Sequence, residues 1–239
     1  MKHEMAMTKN VRRFLAGVRD LQDRPLGVEG MGLLWGQPGE GKSTTIAFAT
    51  NTLDGVFLRA NTCWTVTSML GALSVELGLV PGRFRSAMVD AVIRALMEHP
   101  RPIFVDEADY LLRQTDMLDA LRDIYDNTGS PVVLIGMQQM AQKIQANGRF
   151  ARRVTQWVEF DGIDLADART LADTICDVAL ADDLLEHLHQ AARANIGRMV
   201  TGMARIETFG RTNGLGTVAA ADWGKRALFY DQPRFRRAS

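Results

Sequence analysis

The sequence predicts an α/β fold: a parallel sheet covered by helices, followed by a C-terminal all-helical lid. Three observations predict it. Short apolar runs of β type alternate with helix-length periodic segments up to Phe160. Runs such as Val132-Val133-Leu134-Ile135 are apolar without alternation, as expected of strands buried on both faces. Beyond Phe160 helical periodicity continues with no convincing strand.

In chain order, strands are expected at Gly32 to Trp35, Val56 to Arg59, Ile103 to Val105, Val132 to Ile135 and Trp157 to Phe160. Helical spacing lies between them, from Lys42 to Ala49, Thr65 to Leu77, Ser86 to Met97, Asp116 to Asn127 and Met137 to Ala146. Asp164 to Leu180, Ala181 to Ala194 and Arg198 to Arg211 read as successive helices, with a final one from Val218 to Phe229. The expected organisation is an N-terminal segment at 1–30, an α/β core at 31–160, the helical lid at 161–232 and a basic tail at 233–239.

The 28 basic and 28 acidic residues cancel, but not by mixing. Residues 1–30 carry a charge of +2, residues 31–192 carry −8, and residues 193–239 carry +6. A basic C-terminal segment is a candidate surface for phosphates, and the acidic middle excludes a basic face covering the whole protein. With 46% hydrophobic and 23% charged residues the composition excludes a disordered chain. No apolar run reaches membrane-spanning length and no signal peptide is apparent, so a cytoplasmic protein of a bacterial host cell, without a membrane partner, is expected. Cys63 and Cys176 have no metal-ligand spacing and are expected to be reduced, buried and inert. His187 and His189, two apart, fall on different helix faces and do not form a metal pair. Trp64 and Trp157 read as packing residues beside strands.

The chemistry concentrates in Gly36-Gln37-Pro38-Gly39-Glu40-Gly41-Lys42-Ser43, which fits G-x-x-x-x-G-K-[ST] after an apolar strand and before a helix. Glycines let the backbone bring its N–H groups against phosphate oxygens, and the following helix, with Thr44 in its first turn, adds the positive end of its dipole. Lys42 is expected to neutralise β and γ oxygens of ATP, while the Ser43 hydroxyl joins the coordination of Mg²⁺. Sixty-four positions after Lys42, the apolar run Ile103-Phe104-Val105 ends in Asp106-Glu107. Asp106 is expected to hold Mg²⁺ and Glu107 to polarise the attacking water.

With these motifs the chain resembles the AAA+ ATPases, a P-loop NTPase family. Within them it is similar to the DNA-transposition group represented by the phage Mu B protein, TnsC and TniB. The resemblance rests on Leu33-Leu34-Trp35 with the phosphate loop, Phe104 to Asp109, Leu118 to Asp126 and Pro131 to Gly136, and covers about residues 30 to 210. It implies a sensor residue just after Gly136. There Met137 departs from the family's small polar residue, and Gln138 is the nearest candidate. It implies an arginine finger, acting on a neighbouring subunit's ATP, at Arg149, with Arg152 and Arg153 as alternatives. It makes Arg198, in Asn195-Ile196-Gly197-Arg198, the lid arginine that touches the γ-phosphate. Asn10 to Arg13 and Val28 would lie near adenine.

The resemblance further implies self-assembly into an ATP-dependent ring or helical filament on double-stranded DNA, without sequence preference, and a transposase as partner. In that role the protein selects the target and activates the transposase. Such DNA binding needs cations and hydroxyls at phosphates. Arg59, Thr65, Arg83 and Arg85 are the candidates in the core. Lys225, Arg226, Arg234, Arg236 and Arg237 form a second candidate patch. The alternative is another AAA+ ATPase, a helicase loader or an initiator resembling the origin recognition complex (ORC). A small-molecule P-loop kinase is disfavoured by Glu107 beside Asp106 and by the lid after the fifth strand.

Overall fold

The computed structural model describes residues 1–113 and 115–230, which form two compact units, Asn10–Asp161 and Met1–Lys9 with the chain from Gly162 onward. The expected segment 1–30 is therefore divided between them. Arg234, Arg236, Arg237 and the rest of the expected basic tail lie outside the described residues.

In the first unit, helix α1 (Lys9–Gln22) precedes β1 (Met31–Gly36), α2 (Lys42–Thr52) and β2 (Val56–Arg59). Helices α3 (Val66–Glu76) and α4 (Arg85–Glu98) lead into β3 (Ile103–Asp106), a 3₁₀ segment (Ala108–Arg113) and α5 (Thr115–Thr128). Strand β4 (Val132–Gly136), α6 (Gln138–Ala146), α7 (Gly148–Ala151) and β5 (Val154–Phe160) complete it. The five strands are parallel in the order β2-β3-β4-β1-β5, so all carboxyl ends open on one edge.

Period-2 alternation sorts the buried strands onto two faces. Met31, Leu33, Leu58, Val105 and Leu134 join a core with Leu73 of α3, Val92 of α4, Leu121 of α5 and Ile144 of α6. On the other face Phe14 of α1 meets the rings of Phe104 and Phe160 at centroid distances of 6.1 and 6.3 Å. Helix α1 is not among the expected elements, yet Val11, Phe14, Leu15, Val18 and Leu21 are all buried and share one helix face. Burying a side chain of this size stabilises by about 1.5–3 kcal/mol, before ordering costs, so α1 is a structural part of the core.

The second unit is built on α8 (Leu165–Ile175), α9 (Asp182–Ala192) and α10 (Ile196–Thr212). It is not all-helical: β6 (Ala179–Leu180) and β7 (Thr217–Val218) pair in parallel. The helix expected to reach Leu180 stops at Ile175, because the chain turns to bring Ala179 and Leu180 alongside Thr217 and Val218. The last expected helix shrinks to α11 (Ala220–Trp223) for the same reason. Ala168, Leu171, Leu184, Leu188, Met199, Met203 and Ile206 form this unit's own core. Among the described residues no helix is long and apolar enough to cross a membrane.

Candidate nucleotide site

The phosphate loop leaves β1 at Gly36, which pairs with Phe160 of β5. A Cβ at Gly36 would stand 2.4 Å from the Phe160 carbonyl oxygen, so only glycine fits there. Gly39 and Gly41 have φ of +85° and +82°, the left-handed region that bends the loop back toward α2. Gly41 caps α2 without any side-chain hydrogen bond, so the first-turn N–H groups, including those of Ser43 and Thr44, are left to a ligand.

Lys42 donates from Nζ to the carbonyl oxygens of Gly36 and Gln37, at 2.8 and 2.9 Å. Burial pulls its ammonium below the usual lysine value, while Asp106, Glu40 and Glu107 act in the opposite sense. Gln37 and Pro38 are exposed at the loop tip and Glu40 is buried.

Strand β3 brings Asp106 to the same edge, 4% exposed, where its Oδ2 accepts a hydrogen bond of 3.1 Å from Ser43 Oγ. That contact is the test of whether a magnesium ion fits. It joins two hard oxygen donors beside the loop's N–H groups. Among the described residues no group of three or more His, Cys, Asp or Glu side chains could hold a metal. A magnesium ion here would draw on Ser43, Asp106 and phosphate oxygens, the ligand set this ion favours.

The next residue, Glu107, has φ of +55°, a backbone state that costs about 1–3 kcal/mol for a non-glycine residue. Its N–H donates to Asp106 Oδ1 at 2.9 Å and its carbonyl accepts from Tyr110 N–H at 3.0 Å, which hold the turn. The turn separates the two carboxylates: Asp106 faces Ser43, whereas Glu107 Oε1 lies 3.5 Å from the Arg59 guanidinium. Arg59, expected at DNA, therefore stands opposite Asp106 in the β2–β3 register, beside the candidate base.

Asp109, three residues after Asp106, has a structural role that the sequence does not announce. Its Oδ2 accepts from Met137 N–H at 3.0 Å, tying the 3₁₀ segment to the end of β4, where Gln138 opens α6 and is exposed. The spacing Asp106-x-x-Asp109, one 3₁₀ turn, was the available signal. At the end of β5, Asn10 donates to the Asp161 carbonyl at 2.7 Å and Arg13 to the Glu159 carbonyl. The first turn of α1 thus reaches the strand next to β1, on the phosphate-loop edge, while Val28 is exposed.

The three arginine-finger candidates separate. Arg153 is held by Asp126 through two hydrogen bonds of 2.9 and 2.7 Å. Arg149 and Arg152 are exposed, and all three arginines line an open concavity of about 700 Å³ with Asn147 and Gly148. Arg198 belongs to the second unit, in the first turn of α10, where its guanidinium lies over the Phe229 ring.

The DNA candidates are scattered. Thr65 caps α3, accepting from Ser68 N–H at 3.2 Å, and Arg85 donates to Thr67 at 2.6 Å. Arg83 is exposed. Lys225 and Arg226 are in the second unit, and Arg226 donates to the Trp223 carbonyl at 2.7 Å. Trp64 is half-buried, Trp157 packs edge-on against Trp35, and His189 bonds the Ile163 carbonyl at 2.6 Å. Cys63 is exposed, contrary to expectation, because it falls in the loop after β2; Cys176 is buried.

Residues 26–144 match the profile of the family described as AAA domain. No curated protein matches the chain. Among solved structures it is similar to Cdc6p from Pyrobaculum aerophilum, at 15% identity and a TM-score of 0.63, over 89% of this chain and 64% of that one. It is similar to the ORC2 protein of Aeropyrum pernix in ADPNP–ADP complexes, at 14% and 0.70, over 91% and 67%. The Aeropyrum pernix ORC1 protein in complex with DNA follows at 14% and 0.59, over 87% and 61%. The chain thus spans about two thirds of these proteins' lengths. The shared feature is the AAA+ P-loop NTPase fold.

Proposed function

With residues 26–144 as an AAA domain for premise, we propose that the chain is a self-assembling ATPase acting on double-stranded DNA. The observation that carries this is the meeting of Lys42, Ser43 and Asp106 at one strand-end edge, with Ser43 Oγ 3.1 Å from Asp106 Oδ2. In this reading, backbone N–H groups of residues 37–44 cradle the phosphates, and Lys42 exchanges the Gly36 and Gln37 carbonyls for β and γ oxygens. A magnesium ion at Ser43 and Asp106 would neutralise charge on those oxygens. Glu107 orients the attacking water and accepts its proton, with Arg59 steering the carboxylate. Gln138 faces the γ-phosphate from the end of β4, and Arg198 keeps the lid-arginine role that the resemblance implies.

Arg149 or Arg152, rather than Arg153, reaches into a neighbouring subunit's site, because Asp126 already holds Arg153. Hydrolysis would then require assembly, and ATP and self-association would be coupled. DNA contact falls to Thr65, Arg83, Arg85, Lys225 and Arg226, repeated in each subunit. Weak single-subunit binding would be multiplied by assembly and would be steeply salt-dependent.

The finer reading is a regulator of DNA transposition that selects the target and activates a transposase. The Leu118 to Asp126 helix and the Pro131 to Gly136 strand support it. A replication initiator or helicase loader is a second reading, favoured by the fold's similarity to Cdc6p and the two ORC proteins.

Electron microscopy with duplex DNA and a non-hydrolysable ATP analogue tests the proposal. Continuous filaments, with stimulated strand transfer by a transposase, support the first reading. Closed rings that deposit a helicase on DNA support the second. DNA-free monomers at low salt would sink both.

A further inference from the structure

Strands β3 and β4 separate where the nucleotide site opens. Their ladder pairs Ile103 with Val132, Phe104 with Val133 and Val105 with Leu134, and ends there. Strand β4 nevertheless continues through Ile135 and Gly136, paired with Leu34 and Trp35 of β1. Ladder hydrogen bonds fix the spacing of neighbouring strands, so beyond Val105 the two strand ends depend on other ties. Asp109 supplies one, since its Oδ2 accepts from Met137 N–H at 3.0 Å. Gly136 makes the room: a Cβ there would stand 2.3 Å from the same oxygen.

Asp109 shares a single turn with Glu107, closed by the Tyr110 N–H donating to the Glu107 carbonyl at 3.0 Å. Glu107 has φ of +55°, a state that persists only where its surroundings over-determine it. Two of those constraints are local. The Glu107 N–H donates to Asp106 Oδ1 at 2.9 Å, and Ala108 and Leu111 are fully buried in the core. Asp109 adds a constraint of another kind, because it anchors the turn to β4. Strand β4 pairs with β1, which runs directly into the phosphate loop, and all of these residues belong to the unit Asn10–Asp161.

A carboxylate that orients water acts only within hydrogen-bond reach and in the right direction. The Glu107 side chain is 38% exposed and meets Arg59 at 3.5 Å, so its own contacts hold it lightly. Its place is therefore set mainly by the backbone turn beneath it. The Asp109 tie is a hydrogen bond to a backbone N–H, which any correctly placed carbonyl-type oxygen can accept. Geometry rather than charge is what Asp109 contributes.

We propose that Asp109 is a positioning residue for ATP hydrolysis: by bridging the ends of β3 and β4 it sets where Glu107 stands relative to the phosphate loop, and so governs turnover but not nucleotide affinity. The proposal rests on the reading of Glu107 as the group that orients the attacking water.

The test compares Asp109→Ala, Asp109→Asn, Glu107→Gln and the double variant Asp109→Ala/Glu107→Gln in the full chain. The readouts are phosphate release at saturating ATP, the dissociation constant of a fluorescent non-hydrolysable ATP analogue, and amide hydrogen exchange across residues 106–110 and 136–138. Asp109→Ala should lower turnover by about 10- to 100-fold, the scale of a misplacement of about 1 Å, with analogue affinity unchanged and exchange faster in both segments. Asp109→Asn should keep most of the turnover, because its amide oxygen still accepts from Met137 N–H. The double variant should be no slower than Glu107→Gln. A purely structural role would weaken analogue binding in step with turnover and would not be rescued by asparagine, and that result overturns the proposal. A double variant slower than Glu107→Gln overturns it too, since Asp109 would then act apart from Glu107. If Glu107→Gln lowers turnover while Asp109→Ala does not, positioning by Asp109 is overturned and the reading of Glu107 stands. If Glu107→Gln leaves turnover unchanged, that reading fails and the proposal falls with it. Should Asp109→Ala fail to fold, Gly136→Ala, which displaces the same oxygen, replaces it with the same expectations.

Discussion

The strand-end edge of residues 10–161 and the arginine face of α10 both present cations, but they hold them differently. At the edge each charge is tied to a polar partner: Lys42 to two carbonyls, Asp106 to the Ser43 hydroxyl, Arg59 to Glu107. On α10 the partners of Arg198 and Arg205 are rings, which restrain direction and leave donors open. The first arrangement is fixed by backbone geometry, with strand ends and glycines in left-handed or crowded positions. The second depends on side-chain stacking against a terminal segment. Backbone-fixed sites resist small changes until they fail, whereas stacked ones can be tuned by one ring.

The largest test of that contrast is Glu107→Gln. Turnover should fall by about 10²–10⁴-fold, the range for loss of a general base, with ATP affinity retained. Phosphate release and nucleotide titration check it, and turnover near the parent's would mean that the edge does not work through Glu107.

Next comes a paired glycine experiment. Gly36→Ala sets a Cβ 2.4 Å from a backbone oxygen that cannot yield, and should destabilise by about 3 kcal/mol, the upper part of the overpacking range. Gly202→Ala meets the flexible end of Leu188 at 2.3 Å and should cost about 1 kcal/mol. Denaturant titration measures both, and equal losses would erase the distinction between a rigid edge and an adaptable helix face.

The smallest effect concerns the cysteines. Burial pushes the Cys176 thiol up from 9.0 to about 11, whereas Cys63 is exposed. At pH 8 a thiol reagent should label Cys63 in the native protein and Cys176 only after unfolding. The folded thiol keeps its proton to about pH 11, while the unfolded one releases it near 9.0. The unfolded state then binds fewer protons, so stability should fall as pH rises through that window. Cys176→Ala should flatten this slope, and an unchanged slope would assign it to other groups.

Much of the first unit was legible because its strands are short apolar runs and its loop is a spaced motif. All five predicted strands are present, extended by one to three residues at some ends. Helix α1 was legible too, since Val11, Phe14, Val18 and Leu21 follow the helical period. The second unit was harder. Ala179-Leu180 and Thr217-Val218 are too short to announce themselves, and they become strands only because they meet each other. The sequence puts Arg149 before Arg152 and Arg153 as the finger, but does not announce that Asp126, more than twenty residues earlier, holds Arg153.

The sequence by itself determined the parallel α/β core, the phosphate loop and the acidic end of β3. Each is a local pattern, because apolar runs, glycine spacing and strand-end carboxylates are read within a few residues of one another. Tertiary structure alone decided that Arg59 faces Glu107, that Asp109 secures the end of β4, that Asp126 withdraws Arg153 and that Phe229 lies beneath Arg198. Those pairings join residues from separate elements, and an ion pair or a ring stack depends on distance in space, which residue order does not encode.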